Sequence, residues 1–160
     1  MANQINKYSL AFVLASLTFL LSCDRNITFA DTHQMPGNKW NLMDPQIFEV
    51  PVTDTITRNN VIFTIRTASS YPFRNIYLFV STTSPNGNVI TDTLQYFLAD
   101  NQGKWYGKGF GDIHEMNLPY KTNVFFPLKG VYHFKIRHGM RVENLKGVYD
   151  FGLRIEKYSK

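Results

Sequence analysis

The chain has 160 residues, of which 44% are hydrophobic and 18% charged, and its net charge at pH 7 is +5. That length and apolar share suit one folded domain and exclude a charge-extended, disordered chain. The single cysteine excludes an internal disulfide, and the scattered basic residues argue against a nucleic-acid surface.

The first 22 residues read as a segment removed before folding. Lys7 lies in a short polar start, and Leu10–Leu21 (LAFVLASLTFLL) follows as a twelve-residue apolar run. A spanning helix needs about 20 such residues, so this run fits a signal-peptide core instead. It ends at Leu20-Leu21-Ser22-Cys23. A small residue before a cysteine resembles the bacterial lipobox, which makes Cys23 the expected lipidation site and the new N-terminus. A lone thiol in an exported protein is a liability unless modification consumes it. Each buried acyl CH₂ contributes about 0.8 kcal/mol, so two or three chains anchor far more firmly than one. One acid, Asp24, stands next to the cysteine, which favours a chain facing the periplasm over one exported to the surface. Without residues 1–22 the chain carries sixteen basic and twelve acidic residues, a net charge of +4.

Residues 23–44 are polar and rich in turn formers (DTHQMPGNKWNLMD at the end), and read as a lipidated tether whose end docks at Trp40. Residues 45–160 then read as a single β-sandwich domain. Ile47–Val52 is a first strand, with Pro51 pointing to a sheet edge or bulge. Val61–Thr67 alternates, with Val61, Phe63 and Ile65 on one face. Tyr71-Pro72-Phe73 breaks the chain, and Ile76–Thr82 is the most apolar strand, read as central and covered on both sides. Ser84–Asn88 is a turn in which Gly87 takes positive φ, and Val89–Leu98 returns as the second arm of a hairpin. Asn123–Pro127 reads as a short strand. Val131–His138 sets Tyr132, Phe134 and Ile136 against Lys135 and Arg137, and Gly147–Glu156 closes the domain. No helical stripe appears. The expected fold is all-β, an antiparallel two-sheet sandwich of immunoglobulin-like or jelly-roll-like style with seven to eight strands.

The residues offer little for catalysis. His33 falls in the tether, while His133 and His138 are five apart on one strand and face opposite ways, so they cannot share a metal. Asp112, His114 and Glu115 form the one local cluster of ligand-type side chains, at a spacing that matches no common metal site. A hydrolase built on them requires all three to converge. No serine elbow or phosphate loop is present. Gly103–Ile113 (GKWYGKGFGDI) stands out, since it combines glycines with Trp105, Tyr106, Lys108, Phe110 and Asp112. Aromatics beside charges suit a protein-contact patch or a sugar-stacking platform that would also use Trp40. The competing reading is that the rings plug one end of the sandwich while the glycines shape the backbone.

Several blocks in order carry a family resemblance. They are the lipobox, PGNKW (36–40), YPFRNIYLFVSTTSPNG (71–87), DTLQYFLADNQGKWYGKGFGDI (92–113), KGVYHFKIRHGMR (129–141) and GVYDFGLRIEK (147–157). Together they resemble the gliding-motility lipoprotein GldH family of the Bacteroidetes over almost the full length. The resemblance implies a non-catalytic envelope lipoprotein supporting the surface-motility machinery. It is held to a membrane through Cys23 and faces the periplasm, with other motility or secretion components as partners. The residues add the expectation of no cofactor, no metal, no nucleic acid and no small-molecule substrate. The alternative expectation is an envelope carbohydrate-binding module centred on Trp105.

Overall fold

The computed structural model describes residues 26–159; the signal segment and Cys23 lie outside the described residues. The chain is all-β, with antiparallel pairing in every ladder. Its strands are β1 (Ile27–Gln34), β2 (Lys39–Asn41), β3 (Gln46–Val52), β4 (Asn59–Ala68), β5 (Asn75–Thr83), β6 (Val89–Phe97), β7 (Lys108–Phe110), β8 (Ile113–Val124), β9 (Gly130–His138), β10 (Asn144–Lys146) and β11 (Val148–Lys157). One sheet has the order β1-β11-β4-β8-β7, the second β3-β9-β5-β6, and β10-β2 form a small third. Among the described residues this makes eleven strands in three sheets, rather than the seven to eight in two that the sequence suggests.

The two large sheets turn their apolar faces towards one core, as the period-two pattern requires. On the first sheet, Phe151, Leu153 and Ile155 of β11 stand directly opposite Ile65, Phe63 and Val61 of β4, and all six are buried. On the second, Phe48 faces Phe134, Val50 faces Tyr132 and Val80 faces Ile136. Rings meet across the gap, with Phe48 and Phe151 centroids 6.4 Å apart. In the small sheet Trp40 pairs with Leu145, and both are fully buried. Trp40 lies 4.9 Å from Phe151 and 5.6 Å from His138, so it plugs the core where β9 ends and β11 begins. Its indole N–H donates to the Asp44 carbonyl at 3.0 Å.

Three further expectations from the sequence are corrected here. Residues 27–41, read as tether, belong to the folded body: β1 pairs along β11 from Ile27 to Gln34, and His33 stacks on Phe48 at 4.4 Å. β1 escaped notice because an edge strand buries so little; Ile27–Gln34 (ITFADTHQ) has no buried residue and no alternation to read. β5 is central between β9 and β6, yet only Ile76, Leu78 and Val80 face the core. Its other face is open, with Tyr77 and Phe79 exposed. Finally, Asn123–Pro127 is no separate strand, since Asn123 and Val124 are the end of the twelve-residue β8.

Other expectations hold. Pro51 sits on the edge strand β3, where a missing N–H costs no ladder bond. Gly87 has φ +84° at the β5–β6 turn. His138 is buried, while His133 is exposed beside Glu49. An ion pair on a buried carboxylate ties the first sheet together. Arg66 of β4 lies opposite Asp150 of β11, and its Nε donates to Oδ1 and Oδ2 at 3.0 and 2.7 Å, with Nη2 also donating to Oδ2.

Candidate functional site

Loops gather at two ends of the body. The end reached by the close of β4 holds the β4–β5 connection, the segment leading into β7 and the tight β7–β8 hairpin, where Phe110 pairs with Ile113. The Gly103–Ile113 patch lies here. Its glycines have structural causes. Gly111 takes φ +62° in the two-residue turn, and a Cβ on Gly109 would run into the Ile113 carbonyl. These positions let β7 lie close against β8, as the shape-based reading of the glycines expects.

The aromatics divide between two roles. Trp105 is half-buried, stacks on the His114 ring at 4.9 Å and 13°, and meets Tyr71 edge-on at 6.2 Å. Tyr71 is buried, its hydroxyl donates to the Asn75 carbonyl at 3.1 Å, and burial raises its phenol well above the usual value. Trp105 therefore belongs to a packed cluster. Tyr106 and Phe110 do not: they are 59% and 96% exposed. Lys108 and Asp112 are exposed beside them. The patch is thus a hairpin tip carrying one almost fully solvated phenyl ring, an exposed phenol and one charge of each sign. Trp40, proposed to share a sugar-stacking row, is part of the core instead.

Asp112, His114 and Glu115 do not converge. Adjacent residues on a strand point to opposite faces, so Glu115 stands opposite Arg66 while His114 stands opposite Thr67. What Asp112 and His114 do share is Ser69, which lies more than forty residues away and so carries no local signal in the sequence. The Ser69 N–H donates to Asp112 Oδ1 at 3.1 Å, and Ser69 Oγ lies 2.9 Å from His114 Nε2. The hydroxyl of Tyr149 donates to Asp112 Oδ2 at 3.2 Å, and burial together with that carboxylate raises the Tyr149 phenol. Asp112 thus pins the β4–β5 turn to the hairpin rather than orienting the histidine. Among the described residues no hydrogen-bond partner orients the second ring nitrogen of His114, so the serine–histidine contact lacks the third member that aligns a catalytic base. Among the described residues no group of three or more His, Cys, Asp or Glu could hold a metal ion. No helix among them is long and apolar enough to cross a membrane.

Residues 27–155 match the model of the family described as GldH lipoprotein. This chain belongs to the GldH lipoprotein family. It is similar to the gliding motility lipoprotein GldH of Flavobacterium johnsoniae, with 36% identity over 91% of this chain and 94% of that protein. A gliding motility lipoprotein GldH homolog of Christiangramia forsetii is 31% identical over 94% of this chain and 96% of its own length. The family match begins at Ile27, the first residue of β1, so residues 27–44 of the segment read as tether lie inside the matched unit.

Proposed function

We propose that this chain is a non-catalytic cell-envelope lipoprotein, anchored through Cys23, that supports gliding-motility or surface-protein machinery by protein–protein contact. The observation that carries this reading is the family match along nearly the whole folded body, with relatives named as gliding motility lipoproteins. The contact surface is the β7–β8 hairpin tip. Phe110 and Tyr106 supply apolar area that a partner desolvates, while Lys108 and Asp112 supply orientation at the rim. The chain faces the periplasm in this reading. Cross-linking in the native host, followed by capture from detergent-solubilised envelopes, tests it. Recovery of envelope motility or secretion components that is lost with Phe110→Ser supports the proposal; capture of no envelope protein refutes it.

Tyr106, exposed next to Trp105, keeps a second reading open, a carbohydrate-binding module. That reading requires binding on a glycan array that disappears with Tyr106→Ala, and a silent array ends it.

A further inference from the structure

The end of the body opposite the hairpin is where the described chain begins. The Lys157 N–H donates to the Asn26 carbonyl at 2.8 Å, and the Tyr158 N–H donates to the Arg58 carbonyl at 2.8 Å. Arg58 in turn donates through Nη1 to the Asn123 carbonyl at 2.9 Å and places its guanidinium 5.9 Å from the centre of the Phe125 ring. A Cβ on Gly130, at the start of β9, would press on Pro85 of the β5–β6 turn. The N-terminus, the β3–β4 loop, the β5–β6 turn, the β8–β9 loop and the C-terminus therefore share one end.

That end has an unusual surface. Ile56, at the tip of the β3–β4 loop, is 88% exposed, and Phe125 is 52% exposed. Val89, Ile90 and Leu128 are exposed nearby. Ile56 is presented by a built turn. Asp54 Oδ1 accepts the N–H groups of Ile56 and Thr57 at 2.8 and 3.0 Å, and Oδ2 accepts the Thr57 hydroxyl at 2.6 Å. Arg58, Lys129 and Lys157 lie at the same end, and none has a carboxylate within ion-pair distance among the described residues. Two of the nearby acids are engaged elsewhere, Asp92 by Lys121 at 3.0 Å and Glu156 by Arg154 at 3.3 Å. Exposed aliphatic and aromatic side chains beside three cations, with the Asp54 carboxylate in the loop bearing on Lys157, match the interfacial zone of an anionic bilayer.

Chain length supplies the second argument. Cys23 precedes Asn26 by three residues. However those residues are arranged, they reach at most about 10 Å, comparable to the headgroup layer outside the hydrocarbon core. We propose that this end of the domain rests on the bilayer that holds the Cys23 lipid, with Ile56 and Phe125 in the interface and Arg58, Lys129 and Lys157 against anionic headgroups. The inference rests on the lipid-anchor reading above. It fixes an orientation: the ten-residue β4 runs from this end to the other, so the Phe110 hairpin is held roughly 30 Å from the membrane surface.

The test uses the full-length chain, matured in its host, carrying Ile56→Cys, Phe125→Cys or Phe110→Cys. The single new thiol is labelled with an environment-sensitive fluorophore, acylation having consumed the thiol of Cys23. Each protein is reconstituted into vesicles of phosphatidylethanolamine and phosphatidylglycerol, and intact mass reports acylation in the same sample. The expected result is blue-shifted emission at positions 56 and 125, quenched by nitroxide lipids and shielded from aqueous iodide, with the reverse at position 110. An acylated chain whose labels at 56 and 125 respond to iodide as strongly as the label at 110 overturns the docking proposal and leaves the anchor standing. Labels shielded from both quenchers show that a second copy covers this end, and also overturn it. A chain of unmodified mass that stays off membranes overturns the anchor and the docking together.

Discussion

Replacing Arg66 with methionine isolates the half-buried ion pair of the first sheet. Asp150 is 2% exposed, and Arg66 provides all the side-chain hydrogen bonds that its carboxylate accepts among the described residues. Arg66→Met keeps the aliphatic stem along the sheet but strands that carboxylate. Removing one partner of a fully buried pair costs about 3–5 kcal/mol. The Arg66 side chain is 42% exposed, so water reaches the vacated side and relaxes part of that penalty. A loss of about 2–3 kcal/mol is therefore expected. Replacing both partners, with Asp150→Leu added, removes the stranded charge and recovers most of the loss. Urea unfolding at pH 7, read by circular dichroism with a common slope, gives the three values. A single-variant loss below about 0.5 kcal/mol, or a double variant no more stable than the single, would falsify this account of the pair.

Further outcomes follow from other residues. Trp40→Ala empties a fully buried indole site and is expected to cost about 3–5 kcal/mol in the same unfolding assay, whereas Phe110→Ala changes stability by less than about 0.5 kcal/mol. Gly109→Val drives a side chain into the Ile113 carbonyl and should separate β7 from β8, seen as lost amide protection in the hairpin while β4 and β11 stay protected. Burial lowers the His138 imidazole below its ordinary 6.5, so the unfolded chain binds the proton more tightly. Stability therefore falls as pH drops below about 6.5, and His138→Phe should flatten that slope in urea titrations at several pH values. The Thr57 hydroxyl, followed by the Thr57 and Ile56 N–H groups, holds the Asp54 carboxyl down at about 2. The charged form thus favours the built loop above pH 4 and loses that effect between about 4 and 2; an NMR titration of Asp54 with an ordinary midpoint refutes the turn geometry.

How much was legible depended on burial. β4, β5, β9 and β11 were readable because a core face forces alternation, as with Tyr132, Phe134 and Ile136 against Lys135 and Arg137. β1 and β8 were not read as strands. β1 has no buried side chain, and in β8 the inward residues are His114, Met116, Leu118 and Tyr120, with Pro119 breaking the run. The two-sided cover assigned to β5 failed because Tyr77 and Phe79 are as apolar as core residues while facing outward. Composition alone cannot tell an exposed aromatic from a buried one. At the candidate site the sequence located the Gly103–Ile113 segment but could not divide Trp105 from Phe110. That division depends on Tyr71 and His114, which approach only in the fold. Ser69 and Tyr149, the partners of Asp112, were invisible for the same reason.

Mass spectrometry of the mature N-terminus, taken from membrane fractions of the native host, tests the central claim most directly. The account predicts a chain that starts at Cys23 and carries acyl mass on that residue. An unmodified chain in the soluble periplasm contradicts it, and with it both the anchored role and the orientation that holds the Phe110 hairpin away from the membrane.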